Sequence, residues 1–411
     1  MRPIDDASAS SRALERVRRV HATLTPPTAP PRDEDVSTSS NAAAAAVLVV
    51  VFGGIVLDVH ATPTAPGALA RGTSAPGVAR ASIGGVGMNV ATAARASGDG
   101  RVDVELVSAV GDDDDGARAE REANARGIVD VARTVRVARD RRTARVVGIV
   151  DGGGELAACV ADVDVVEDCA DAAWCASFAR DVAASARVVV DANLGRDAIR
   201  AVVLTARACG VPVWYEPVSV GKATRILSDD ADDARPLAGM AFCSPNAAEL
   251  RELANGVRRH WAKGSPMSPC PFNPEFEFDT AGDALDALAS DVSTLLAAGC
   301  ERVALTLGAL GAVVSWAPRG DVSQAMHAHV PAYPVTPVSL VGAGDAFVGG
   351  TVAALARGSD ALDACARGAA CASLACERVD AALTNVDESD IARRAAVVRR
   401  GVTLLTPAVR Q

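Results

Sequence analysis

Three short apolar runs decide the fold: Val188-Val189-Val190-Asp191 (188–191), Val211-Pro212-Val213-Trp214-Tyr215 (211–215) and Ala238-Gly239-Met240-Ala241-Phe242-Cys243 (238–243). None alternates with polar residues, so each suits a strand buried on both faces. Between them lie stretches with helical spacing, one reaching Ala208 and one at Lys222–Leu227; a helix ending at Ala184 precedes the first run and one at Ala247–Leu253 follows the last. Strand–helix alternation of this kind predicts an α/β fold with a mostly parallel sheet and helices on both faces.

Working outward, Val47–Phe52 is another β-branched run, read as a fully buried parallel strand ended by Gly53-Gly54. Residues 58–82 are rich in Pro, Thr, Gly and Ala and lack a helical period, which suits a flap of short strands. Gly87–Ser97 and Asp113–Arg126 read as helices, and Val102–Val107, Val129–Val137 and Ala144–Val150 as strands, the last followed by a Gly152-Gly153-Gly154 turn. Downstream come a helix to Ala298, strands at Val303–Leu307 and Ala312–Trp316, an extended Val335–Val341, and helices at Ala346–Ala356, Ala361–Cys376 and Glu388–Arg399. The domain layout is a disordered leader over 1–46, one α/β domain over 47–400 and a tail over 401–411. A Pro- and Phe-rich insertion, Asn255–Thr280, reads as a loop.

Composition narrows the function. The 411 residues are 49% hydrophobic, enough for a large core, and 41 basic against 51 acidic residues give a net charge of −10. The basic residues are scattered, so no nucleic-acid footprint is expected. No apolar run reaches the ~18 residues of a bilayer span, so no membrane role is expected. The ten cysteines form no Cys-x-x-Cys pair and most sit in apolar surroundings, which reads as buried free thiols in a reducing compartment. A cytoplasmic protein follows. The acids Asp5, Asp6, Glu15 and Asp33–Asp35 argue against an organellar transit peptide, while Leu14–Ala22 resembles a degenerate N-terminal peroxisomal signal.

Several stretches carry polar groups where chemistry needs them. Gly342-Ala343-Gly344-Asp345-Ala346-Phe347 places two glycines and a carboxylate at a helix start, where free N–H groups can hold a phosphate. A carboxylate there repels the anion, so Asp345 either caps the helix or accepts a proton from a nucleophile. Gly84-Gly85-Val86-Gly87-Met88-Asn89 is a glycine turn entering a helix, and Asn89 with Asp58 could together hold a diol. That turn lacks the third glycine of a dinucleotide fingerprint, since Val90 stands there. Asn246-Ala247-Ala248-Glu249 places an amide and a carboxylate one helical turn apart. The pair is either a helix cap or a holder of Mg²⁺ through its water shell. Thr306-Leu307-Gly308 closes a strand with a hydroxyl and a glycine. No Gly-x-x-x-x-Gly-Lys-[Ser/Thr] occurs, which excludes a P-loop NTPase at the level of motif. His327 and His329 alternate on one strand face and are expected to be exposed rather than metal-bound.

Taken together and in this order, the Gly84–Asn89 turn, Asn246-x-x-Glu249, Thr306-Leu307-Gly308 and Gly342–Asp345 resemble the ribokinase-like (pfkB) family of carbohydrate and nucleoside kinases, over about 47–376. Within it, Val160-Ala161-Asp162-Val163-Asp164, Asp191-Ala192-Asn193-Leu194, Glu216-Pro217-Val218-Ser219-Val220-x-Lys222 and Ser244–Leu250 are similar to phrases of the pseudouridine kinases. The resemblance implies a doubly wound α/β domain with a small β-sheet lid, here from about 58–82 and 129–162. It implies ATP-dependent phosphorylation of the 5′-hydroxyl of pseudouridine, or of another sugar or nucleoside such as ribose, fructose or adenosine. The alternative from another class is a non-catalytic nucleoside sensor that keeps the fold, against which Asp345 with its intact glycines argues. Asp345 would be the general base, with Gly342, Ala343 and Gly344 around the transferred phosphoryl group. Asp58, Gly84, Gly85, Asn89 and Asn193 would bind the acceptor. Asn246, Thr306, Gly308 and Gly344 would bind ATP, and Asn246 and Glu249 would order Mg²⁺ through water. It further implies a homodimer through the lid and a separate pseudouridine-phosphate glycosidase as pathway partner. Two departures stand out. Ala144-Arg145-Val146-Val147, after the lid residue Thr143, lacks the aromatic side chain often found there. Val338-Ser339-Leu340-Val341 replaces the Asp-Thr of a potassium site, so the likeness does not extend to potassium.

Overall fold

The computed structural model describes residues 45–65, 72–150, 156–227, 233–262 and 276–407. The expectations for the leader, for the Gly152–Gly154 turn and for residues 263–275 of the insertion lie outside these. The β-branched runs form the strands β1 (Val47–Phe52), β4 (Val102–Gly111), β5 (Val135–Ala138), β8 (Arg187–Asp191), β9 (Val213–Glu216), β10 (Met240–Cys243) and β11 (Arg302–Thr306). With β12 (Ala312–Trp316), β13 (Met326–Val330) and β14 (Thr403–Leu405) they make a ten-stranded sheet of order β14-β13-β12-β11-β10-β9-β8-β1-β4-β5. The run from β11 to β5 is parallel, and β12 to β14 add an antiparallel edge.

The chain winds one way from β1 to β4 and β5 and then crosses back to place β8 against the other side of β1, so the crevice at this switch opens above the carboxyl ends of β1 and β8. Alternate side chains of each strand enter opposite cores. Val50, Phe52, Val188 and Val190 point into one, covered by the helices α7 (Arg196–Ala208), α8 (Ala247–Trp261) and α9 (Ala281–Ala297) together with the short α5 (Ala172–Ala176) and α6 (Ala179–Ala184). Val49, Val51 and Val189 point into the other, under α1 (Val86–Ser97), α10 (Ala343–Ala356) and α11 (Ala361–Cys376). Each buried valine contributes roughly 1.5–3 kcal/mol, which is why unbroken runs of them specify a central sheet.

Helix α10 is apolar all round, and Ala346–Leu355 are buried without a break. Such a helix must be packed on every side. At Gly349 it crosses α1 so closely that a Cβ would lie 2.6 Å from both the Val90 carbonyl oxygen and the Ala93 Cβ. On its other flank, a Cβ at Gly350 would meet the Cys371 sulfur of α11 at 2.6 Å.

A second sheet of order β3-β2-β6-β7 forms the lid, from β2 (Val56–Pro63), β3 (Gly77–Gly84), β6 (Arg145–Val150) and β7 (Leu156–Asp162). It is tied to the large domain by Asp113. This residue caps α2 (Asp114–Ala125) through Gly116 and accepts hydrogen bonds from Thr143 N at 2.9 Å and Thr143 Oγ1 at 2.5 Å.

The structure corrects several expectations. Residues 129–137 are not a lid strand: α3 (Val131–Thr134) is followed by β5, which pairs with β4 and closes the edge of the large sheet. Residues 335–341 form no strand. Val338, Leu340 and Val341 are exposed, and the Val338 and Ser339 amides bond instead to the Cys376 carbonyl at the end of α11. The insertion begins later than expected, because α8 continues to Trp261, and the stretch at 222–227 is a 3₁₀ turn, Ala223–Ile226. His327 is buried, not exposed. Its ring bonds the Ser315 hydroxyl on β12 at 2.8 Å, while His329 bonds the Leu310 carbonyl at 2.7 Å, and burial lowers the His327 pKa, favouring the neutral ring.

Replacing Gly349 by valine should force α1 and α10 apart and cost ~1–3 kcal/mol, the usual range for overpacking. Urea unfolding of the variant would measure it; an unchanged midpoint would mean the helices can slide without penalty.

Candidate active site

Two helix N-termini meet in the crevice. Asn89 lies in the first turn of α1 and Asp345 in the first turn of α10, and the Asn89 amide Nδ2 donates to Asp345 Oδ2 at 2.8 Å. The other amide atom, Asn89 Oδ1, is buried with no hydrogen-bond partner among the described residues. A buried carbonyl oxygen left unpaired costs about 1–3 kcal/mol, so it marks a place where a ligand hydroxyl would be bound. Asp58 comes from the lid to the same point. A Cβ on Gly84 would sit 2.4 Å from Asp58 Oδ2 and 3.5 Å from Asn89 Oδ1, so only glycine allows this approach.

The turn before α10 has the form a phosphate cradle needs. Gly342 has φ 80°, and a Cβ there would lie 2.2 Å from the Ala381 carbonyl oxygen. The Ala343 amide bonds the Leu340 carbonyl at 3.3 Å and the Ala346 amide bonds Gly342. The Gly344 and Asp345 amides have no partner among the described residues, and nothing lies within 4 Å of the Gly344 Cβ position. Two free N–H groups therefore face open space beside Asp345. Of the residues expected around the phosphoryl group, Ala343 has its amide already occupied.

Asp345 has an unusual acidity. Burial pushes its carboxyl up to about 7, with Asp191 and Asp58 adding to the rise and the Asn89 hydrogen bond opposing it. Burial likewise raises Asp58 and Asp191. Asp191 ends β8 and accepts bonds from the Gly54 amide at 2.9 Å and from Asn193 N and Nδ2. Asn193 reaches the crevice, but its polar atoms are engaged: Lys222 Nζ donates to Asn193 Oδ1 at 2.7 Å. It braces Asp191 against Lys222.

The third group of candidates collects at the carboxyl ends of β9 to β11. Asn246 pairs with Thr306 as an isolated bridge, and Gly308 follows with no neighbour within 4 Å of its Cβ position. Asn246 and Glu249 form a capping box: the Glu249 amide bonds Asn246 Oδ1 at 3.0 Å and the Asn246 amide bonds Glu249 Oε2 at 2.9 Å. The helix-cap reading is thus realised, and it leaves Glu249 Oε1 and Asn246 Nδ2 for other work. Among the described residues no three His, Cys, Asp or Glu side chains converge as a direct metal shell.

Sequence reasoning gave no role to Glu216. It ends β9, bonds the Ser244 hydroxyl, which in turn accepts from Trp214 Nε1 at 2.6 Å, and is held well above the usual carboxylate range by burial, then by Glu249 and also by Asp345. Its signal was available, since it and Asp191 are carboxylates at the carboxyl ends of parallel strands, as ligand groups tend to be. Burial raises Glu249 as well. Buried carboxylates facing one another without an arginine or lysine partner fit a divalent cation held between them and a polyphosphate.

Comparison with known proteins shows what the chain is similar to in sequence and fold. Residues 47–388 match the model of the pfkB family of carbohydrate kinases. A pseudouridine kinase of Arabidopsis thaliana is 30% identical over 367 residues, covering 80% of this chain and 90% of its own. Among solved structures, a carbohydrate kinase from Agrobacterium tumefaciens superimposes with a TM-score of 0.63 at 23% identity, over 87% of this chain and all of its own. The ribokinase of Arabidopsis thaliana, solved with ribose and ATP, gives 0.60 at 17% identity, over 85% of this chain and 99% of its own.

The Asp345 carboxyl holds its proton in the folded chain up to about 7, against 3.8 for an ordinary aspartate. The folded state therefore binds more protons between these values and loses stability as pH rises through them. Asp345→Asn, which carries no charge, should unfold at a higher temperature than the parent at pH 8 and show a smaller difference at pH 5. Equal differences at both pH values would mean the carboxyl titrates normally.

Proposed function

Because the chain belongs to the pfkB family of carbohydrate kinases, we propose that it transfers the γ-phosphoryl group of ATP to the 5′-hydroxyl of pseudouridine. Family membership makes it a phosphotransferase with an alcohol acceptor. The choice of pseudouridine is supported by the Arabidopsis pseudouridine kinase and by the four sequence phrases shared with such enzymes.

The observation that carries the reading is the Asn89–Asp345 pair, with one amide oxygen unpaired and the carboxyl poised near neutrality. Asp58 and Asn89 Oδ1 would accept hydrogen bonds from ribosyl hydroxyls and so aim the 5′-oxygen at the cradle. As that oxygen attacks the γ-phosphorus, its proton passes to Asp345, the bond from γ-phosphorus to the bridging oxygen breaks, and ADP leaves with the electron pair. A base with a pKa near the working pH is well matched to this transfer. The Gly344 and Asp345 amides would stabilise charge on the equatorial oxygens. Asn246, Thr306 and Gly308 would hold the nucleotide. Mg²⁺, bound by Glu249 and Glu216 through water, would screen the phosphates from these carboxylates.

Incubation with ATP and, separately, pseudouridine, uridine, adenosine, ribose and fructose, followed by mass spectrometry, should give a phosphorylated product from pseudouridine most rapidly. Product from ribose or adenosine with none from pseudouridine would replace this substrate by another of the family. The turnover number should fall as pH drops below about 7, as Asp345 takes up its proton. Glu249→Gln should raise the Mg²⁺ concentration for half-maximal rate and weaken Mg²⁺-dependent ATP binding in calorimetry; unchanged values in both would remove Glu249 from the metal site.

A further inference from the structure

We propose that His60 and Arg80, on the lid face that carries Asp58, read the base of a nucleoside acceptor; this rests on the nucleoside kinase reading above. Side chains two residues apart on a strand share a face and lie ~6.8 Å apart. Asp58 is fixed at the inner end by its approach to Gly84 and Asn89. His60 is the next residue outward on that face, ~6.8 Å further along β2.

The register then brings two more groups to the same place. His60 stands opposite Arg80 on β3 and opposite Gly148 on β6, as Asp58 stands opposite Ser82 and Val146. Gly148 presents no side chain, so the imidazole and the guanidinium flank a gap with Val146 as its aliphatic neighbour. Arg80 is exposed and His60 half-buried, and neither side chain has a hydrogen bond or ion pair within the described chain. Their polar atoms are therefore available to a ligand.

The chemistry of the pair selects the ligand class. Arginine offers only donors, in a planar fork suited to carbonyl oxygens, and a neutral imidazole offers one donor and one acceptor. A ring bearing both carbonyls and N–H groups satisfies both, as a pyrimidine-dione does. The lid segment after Thr143 has no aromatic residue to stack on a base. Edge recognition by His60 and Arg80 takes over the task of telling a nucleoside from a free sugar. The opposite lid face carries exposed Val147, Ile149 and Val160, and its charged residues Arg145 and Asp162 are already paired with Asp115 and Arg142.

The test compares His60→Ala, His60→Gln and Arg80→Ala with the parent, using pseudouridine and ribose as acceptors. For pseudouridine, each alanine variant should raise KM at least ~10-fold, the factor expected for one hydrogen bond to a charged or buried partner, with kcat within about threefold. Ribose kinetics should stay unchanged, and His60→Gln, which keeps an acceptor and a donor, should recover part of the loss. Equal losses on both acceptors, a loss confined to kcat, or no loss at all would overturn the proposal. If the parent itself phosphorylates no nucleoside, it is the nucleoside reading that fails, and ribose kinetics in the parent would show that separately.

Discussion

The site depends on the close crossing of two helices. At Gly349 the backbone of α10 touches that of α1, with no side chain to hold them apart. Their N-terminal turns are thereby brought to one point, and the 2.8 Å bond between Asn89 and Asp345 is the result. Helix α10 cannot relieve the contact by rotating, because α11 touches its other flank at Gly350 and it has no polar face to turn outward. The geometry of the candidate site is set here by packing some way below the Asn89–Asp345 pair.

That packing also sets the acidity. Asp58, Asp191, Asp345, Glu216 and Glu249 are carboxylates raised by burial in or beside a single crevice. Such a cluster is unfavourable for stability, and its members differ in how the cost is met. Asp191 and Glu249 accept backbone hydrogen bonds, which hold their rise in check. Asp345 has a single donor, Asn89, and ends near neutrality. One carboxyl is thus left with an acidity suited to exchanging a proton, while its neighbours are held by backbone donors or by further burial.

The lid brings function and sequence together differently. Its inner face follows from strand alternation once Asp58 is placed, so His60 and Arg80 follow by register alone. Its attachment does not, for the Asp113–Thr143 clamp joins residues 30 apart in sequence. The extended look of Val129–Val137 and Val335–Val341 misled in the same way. β-Propensity says that a segment fits a pleated surface, and says nothing about which sheet has an edge free for it. The first joined the large sheet, and the second found no partner strand and bonded to the end of α11.

The sequence by itself determined the class of architecture and the identity of most polar groups in the crevice. Unbroken valine runs can only be central strands, and Asp345, Asn89, Asp58 and the glycine turns are recognisable because their chemistry is local to a turn or a helix start. Tertiary structure alone decided which of those groups are free to act. Asn193 is partly engaged by Asp191 and Lys222, and Glu249 is half committed to a cap. Glu216 gained its place only when β9 was laid beside β10, and His327 lost its expected exposure when β13 paired with β12. Burial and hydrogen-bond partners depend on residues distant in the chain, so no reading of spacing or composition could supply them.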